Sequence, residues 1–207
     1  MQPSSPARLA CVSVPTSTSG HAIVSLYVEH NSTSAHYDIH AAVLGASLSE
    51  HAPTDWIRLL MVSGPQEPRS ASLERLVGVG WSTCNVPTLL PPRRPRSARW
   101  MYTFAKLQAF SLIQFRSVLV LDLDVLSVGR LPPSLLHVLE SSPLAELAAS
   151  QDIAYGRGHV PIFNSGIMMI KPSLERCDWP IFATLAHFLV HDMSRRRRPA
   201  LLLCMRV

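Results

Sequence analysis

The most constraining stretch of this chain is Ser117-Val118-Leu119-Val120-Leu121, an apolar run that meets two acids, Asp122 and Asp124, one residue apart. Successive Val and Leu residues leave neither side of a strand for water, so the run predicts a strand buried on both faces. Strands of that kind belong to largely parallel sheets covered by helices, the layered α/β architecture. The rest of the sequence supplies the alternation such a fold needs. Residues 21–28 read as a strand through Ala22, Ile23, Val24, Leu26 and Val28. Residues 37–50 read as a helix with Ile39, Ala42, Val43, Ala46 and Leu48 turned inward. A second apolar strand covers 56–62 and ends at Gly64-Pro65, and a second helix covers 67–77. A weaker strand is expected at 81–86, then a loop at 87–95 that Pro87, Pro91, Pro92 and Pro95 keep irregular. Helical periodicity returns at 100–114. Pro132 and Pro133 suit the first turn of another helix, 162–170 reads as a strand, and Pro172 opens a helix over 172–190.

The 207 residues suffice for one domain, which we place at 21–192 between a Ser-, Thr- and Pro-rich leader, 1–20, and a basic and apolar tail, 193–207. With 47% hydrophobic and 16% charged residues the chain has the composition of a folded protein rather than a disordered one. The sequence has no apolar run of the length a membrane span needs, about 18 residues. The net charge of +5 is concentrated in Arg93, Arg94, Arg96 and Arg99 and in the run Arg195-Arg196-Arg197-Arg198. Neither cluster alternates with aromatic residues, so a nucleic-acid partner is not expected; a solvated loop and tail is the reading, with the first cluster able to attract an anion. Cys11, Cys84, Cys177 and Cys204 form no Cys-x-x-Cys pair and no evident disulfide framework. A reducing, cytoplasmic location is the default, with the Golgi or another organelle as the alternative.

The two acids carry the chemistry. In open α/β folds ligands bind beyond the carboxyl ends of the strands, where Asp122 and Asp124 are expected. In an extended strand residues i and i+2 point to the same side, so both carboxylates can converge on one ion. Hard oxygen ligands suit Mg²⁺ or Mn²⁺, which keep positions for phosphate oxygens. The plain alternative is that one acid caps a turn and the other is merely exposed. A second signal is Phe163-Asn164-Ser165-Gly166, a turn expected before an apolar strand. It brings an amide, a hydroxyl and a close backbone approach to one place, groups suited to sugar hydroxyls. His36 and His40 have the spacing of a zinc pair but lack the intervening Glu of His-Glu-x-x-His, and they read as surface histidines. Met101, Met168 and Met169 read as core filler.

In these segments the sequence resembles glycosyltransferase family 8, the glycogenin-like and galactinol-synthase-like enzymes. The resemblance runs from Ala22-Ile23-Val24-Ser25-Leu26 through Tyr37 and Ala42-Val43-Leu44-Gly45-Ala46-Ser47-Leu48. It continues in Phe104-Ala105-Lys106-Leu107, where the family usually has Thr-Lys-Leu, and in Arg116 to Leu126 with its Asp-x-Asp. Phe163-Asn164-Ser165-Gly166 then follows in order and approximate spacing. What the resemblance implies is a GT-A fold and the metal-dependent transfer of a hexose from a UDP-hexose donor to an acceptor hydroxyl, with retention of configuration. It implies Asp122 and Asp124 as ligands of Mn²⁺ or Mg²⁺, with Asp122 also near the ribose. Tyr37 would stack near the uracil and Lys106 would offset the diphosphate charge. Asp152 would contact the donor sugar, and Asn164 and Ser165 would orient it. Asp152 and Asn164 are the expected catalytic pair. The acceptor is unspecified, and a homodimer is one assembly this reading allows.

The sequence also departs from the family. Members continue with an Asp-Gln-containing segment and a His near a Gly and a Lys-Pro, the His completing the metal shell. Here Arg195 to Pro199 and Leu201-Leu202-Leu203 follow instead, and His187 and His191 lack the family context. The expectation is a C-terminally truncated member. Ser25 replaces the commoner Thr, and residues 29–36 are an insertion beside the base contacts. Two other functions share features with this chain: a non-catalytic nucleotide-sugar-binding fragment, and a haloacid-dehalogenase-like phosphatase. The latter fits poorly, since Val125-Leu126 follow the acid pair and no paired acids follow downstream.

Overall fold

The computed structural model describes residues 18–28, 34–64, 70–89, 102–132, 135, 147–152 and 162–173. Strand β1, His21–Val28, is followed by helix α1, Ser34–His51, strand β2, Ile57–Ser63, helix α2, Ser70–Gly78, and strand β3, Ser82–Asn85. A 3₁₀ helix, Thr103–Ser111, leads into β4, Ser117–Leu121, and then come β5, Leu147–Asp152, and β6, Ile162–Ile170. Among the described residues the six strands form one sheet, and α1 and α2 pack on the same face of it. The sheet order is β3-β2-β1-β4-β6-β5. The first four strands run parallel, with Ser25 opposite Leu121 across β1 and β4; β6 runs antiparallel to β4 and to β5.

Alternation along β1 sends its side chains to two layers. Ala22, Val24 and Leu26 join Val118 and Val120 under the 3₁₀ helix, against Phe104, Leu107 and Phe110. Ile23 and Tyr27 face the other way, with Leu119 and Leu121, against Ala41, Leu44 and Leu48 of α1 and Leu76 of α2. Covering both faces requires strands that are apolar throughout, as Ser117-Val118-Leu119-Val120-Leu121 is. Helix α1 crosses close to the α2–β3 connection at Gly45, where an added Cβ would come within 2.5 Å of Trp81 Nε1. That indole donates to Ala41 O at 2.8 Å. Arg58 ties the same corner, donating through Nη1 to Gly45 O at 3.2 Å and Val79 O at 3.4 Å, and also to Ser49 Oγ. Burial pulls its guanidinium below the ordinary pKa.

Several sequence expectations change form here. The helix expected over 100–114 is a 3₁₀ helix within its described part, with Ala105 N–H bonded to Tyr102 O and Leu112 N–H to Ala109 O. The i, i+3 spacing of Phe104, Leu107 and Phe110 gives the reason, since three residues per turn stacks all three on the sheet. Strand β5 was not foreseen: Leu-Ala-Ala-Ser-Gln-Asp lacks β-branched residues, and its pairing with β6 makes it a strand. The cysteine reading is corrected as well, because Cys84 is disulfide-bonded, to a partner outside the described residues. Spacing along the chain does not reveal which cysteines approach in space, and disulfides persist mainly in oxidising compartments, so the cytoplasmic default loses its cysteine argument. The helix at 172–190, most of the one opening at Pro132-Pro133, both arginine clusters, Met101, His187, His191 and the tail lie outside the described residues, as does nearly all of the leader. Among the described residues, no helix is long and apolar enough to cross a membrane.

Candidate functional site

The order β3-β2-β1-β4 reverses direction between β1 and β4. The chain steps outward from β1 to β2 and β3 on one side, then returns to add β4 on the other. At such a switch point the connections leave towards opposite faces and open a crevice beyond the carboxyl ends of the strands. β4 ends there at Leu121, and the next residue is Asp122.

The acids do not lie on an extension of the strand. Val125 N–H bonds to Asp122 O at 3.2 Å, so residues 122–125 form a turn, and the simple i, i+2 argument for their shared direction does not apply. Asp124 is exposed and Asp122 half-buried. Asp122 is held from two sides. Its backbone N–H donates to Gly166 O at 2.8 Å, and its carboxylate Oδ1 forms an ion pair with Lys106 Nζ from the 3₁₀ helix.

The hydrogen bond to Gly166 brings in the second sequence signal. The expected Asn-Ser-Gly turn is part of β6, at a register break. Met168 pairs with Ala149 of β5 and Asn164 with the next residue, Ser150, so 165–167 stand unmatched on that side. On the other side Ile167 pairs with Leu121. A bulge of this kind bends a strand and re-aims its side chains, and Gly166 lets the backbone approach closely. Ser165 and Gly166 are half-buried beside the acid turn. β5 runs parallel to β4, so Asp152, its last residue, lies at the same end of the sheet. The side chains of Asp152 and Asn164 lie outside the description.

Helix α1 starts from the same end. Tyr37 lies in its first turns, 38% exposed, with its ring edge-on to His40 at 6.3 Å. Beside it stands a group that sequence reading missed. Asp38 Oδ1 accepts from Tyr27 Oη, while Oδ2 accepts from Ser72 Oγ at 2.7 Å and lies 3.4 Å from Arg75 Nη2. One carboxylate thus joins the end of β1, the start of α1 and helix α2. The signal available was an acid facing a helix with Ser72 and Arg75 at i, i+3, which is faint without the pairing of the elements. Ser25 Oγ is buried and has no hydrogen-bond partner among the described residues. The sheet end therefore gathers Lys106, Asp122, Asp124, Ser165 and the backbone of Asn164 and Asp152, with Tyr37 on the first turns of the neighbouring helix.

No family model matches the sequence, and no curated protein matches it. Solved structures do. The chain is similar to the bifunctional glycosyltransferase WbbM, at 18% identity and TM-score 0.55, covering 85% of this chain and 35% of that one. It is similar to the galactosyltransferase LgtC, solved with donor and acceptor sugar analogues, at 19% identity and TM-score 0.55, over 84% of this chain and 66% of that one. Mouse xyloside xylosyltransferase 1 matches at 13% identity and TM-score 0.54, over 84% and 73%. The fold is that of the GT-A glycosyltransferases. This chain spans about a third of WbbM and two thirds of LgtC. The mostly parallel GT-A sheet matches the architecture expected from the sequence, and the identities are too low to carry more than the fold.

Two carboxylates on either side of Leu123 are a donor set of hard oxygens, suited to a divalent cation of the Mg²⁺ or Mn²⁺ type. Asp124 has no side-chain partner among the described residues, and Asp122 is compensated by Lys106. Among those residues no three His, Cys, Asp or Glu side chains gather as a metal site. The pair has the donor chemistry such a cation takes, and the rest of a shell would have to come from other oxygens.

Proposed function

We propose that this chain is the donor-binding core of a glycosyltransferase that moves a hexose from a UDP-sugar to an acceptor hydroxyl. The observation that carries the reading is the joining of Asp122 to both Lys106 and Gly166 at the switch point of a GT-A sheet. Three features that are separate in the sequence meet on one aspartate. A diphosphate needs positive charge, and Lys106 supplies it within reach of the acid pair. A sugar needs short polar groups against a close backbone, which the bulge at Ser165-Gly166 offers. Likeness in fold to glycosyltransferases that include a galactosyltransferase and a xylosyltransferase supports glycosyl transfer in general.

Asp122 and Asp124 would hold the divalent cation; what a cation supplies there is charge stabilisation of the departing diphosphate. Lys106 adds to it from the 3₁₀ helix, where low exposure strengthens its electrostatic effect. By the family resemblance, Asn164 and Ser165 would orient the donor sugar, Asp152 would contact it and Tyr37 would stack near the base. We favour attack by the acceptor hydroxyl on the face from which the diphosphate leaves, giving retention. The test is turnover of UDP-glucose and UDP-galactose with and without Mn²⁺, following UDP release and the anomeric configuration of the product. Metal-dependent release with retention supports the reading. Tight UDP binding with neither transfer nor hydrolysis would make this a non-catalytic binding protein, and release of phosphate from phosphomonoesters would make it a phosphatase.

A further inference from the structure

The pair between Lys106 and Asp122 joins two groups that the reading above assigns to different ligands, the ammonium to the diphosphate and the carboxylate to the cation. We propose that Lys106 is a built-in competitor for the cation at Asp122, displaced when a diphosphate arrives, so that this contact couples metal binding to donor binding. The inference rests on the donor reading and adds to it an order of affinities.

Lys106 lies between Ala105 and Leu107, which are buried against the sheet, and only 12% of its side chain is exposed. An ammonium held that far from water requires a counter-charge. The ion pair with Asp122 meets this need. The Asp122 side chain is 31% exposed, so part of its carboxylate is open to a ligand. A divalent cation arriving alone puts a second positive charge next to the ammonium and draws away its counter-charge, in surroundings where screening is weak. The cost falls on the metal, whose affinity for the free chain is lowered. A diphosphate reverses the balance, because its oxygens offer the ammonium a new partner while Asp122 turns to the cation. Linkage makes the effect reciprocal: whatever factor the nucleotide adds to metal affinity, the metal adds to nucleotide affinity.

The contact makes a signed prediction for the Lys106→Met variant of the full chain. Counting free Mn²⁺ by its paramagnetic resonance, the variant binds MnCl₂ alone more tightly than wild type, by about 5- to 50-fold. In saturating Mn²⁺ it binds UDP more weakly by about tenfold or more. Lys106→Gln, which keeps a donor to Asp122 without the charge, changes both affinities in the same directions, so the experiment stands if the methionine variant does not fold. Lys106→Arg keeps the wild-type order. A lysine that only contacts phosphate, or only supports the fold, would leave Mn²⁺ affinity without nucleotide unchanged or lower, and that result overturns the proposal. If instead wild type binds Mn²⁺ but UDP changes nothing, the donor reading fails, while the comparison with Mn²⁺ alone still decides whether Lys106 competes.

Discussion

Asp38 and Ser25 stand on neighbouring elements and make opposite predictions. Asp38 accepts from Tyr27, Ser72 and Arg75, so its loss leaves a half-buried cluster of donors without an acceptor. Asp38→Ala should lower unfolding free energy by about 1–3 kcal/mol in urea titration, with Asp38→Asn losing less because an amide oxygen still accepts from Tyr27. An alanine variant as stable as wild type would mean the cluster is held by packing alone. Ser25 is the reverse case. Its hydroxyl is buried on β1 with no partner among the described residues, and such a group weakens the fold by its desolvation. Ser25→Ala should therefore raise stability by about 1 kcal/mol in the same titration, while a fall would reveal a partner for the hydroxyl. The sequence shows Ser25 only as a small residue in an apolar strand, and Asp38 only as one acid of a helix; their opposite roles depend on what faces them.

At the scale of elements, the contact of α1 with Trp81 is the most exposed to a small change. Gly45→Ala gains about 1 kcal/mol of helix propensity but drives a methyl to within 2.5 Å of Trp81 Nε1 and 2.8 Å of Val79. Overpacking of about 1–3 kcal/mol outweighs the gain, so the variant should melt several degrees lower by calorimetry. An unchanged or raised melting temperature would show that the helix can shift away. Much at this scale was legible in advance. Strands β1, β4 and β6 and helix α1 were expected near their observed places, but the inward face of α1 was not: Ala41, Leu44 and Leu48 are buried against the sheet, whereas Ile39, Val43 and Ala46, expected inward, are exposed. β5 was not legible, because Ala148, Ala149 and Ser150 carry no strand preference of their own. Nor was the bulge at Ser165-Gly166, since Asn-Ser-Gly has the composition of a turn and becomes strand only between two partners. The 3₁₀ form of 103–111 likewise depends on how three large side chains meet the sheet.

For the molecule as a whole, the position of the candidate site follows from where the order of strands turns back. The parallel half brings Asp122 to the crevice, and the antiparallel addition of β6 sets Gly166 beside it, though 44 positions separate the two in sequence. That the acids and the Asn-Ser-Gly segment belong together could be read from the sequence only through resemblance; the backbone bond between them supplies the physical link. The disulfide at Cys84 was hidden for the same reason, being a property of distance in space. The proposed function requires Asp122 and Asp124 to bind nucleotide through a cation. Calorimetric titration of the full chain with UDP, in Mn²⁺ and in chelator, for wild type and for the double variant Asp122→Asn, Asp124→Asn, measures this directly. Wild type is expected to bind UDP in Mn²⁺, with the affinity falling by about tenfold or more in chelator and in the double variant. Equal UDP affinity in all of these conditions, or none in any, would contradict that requirement.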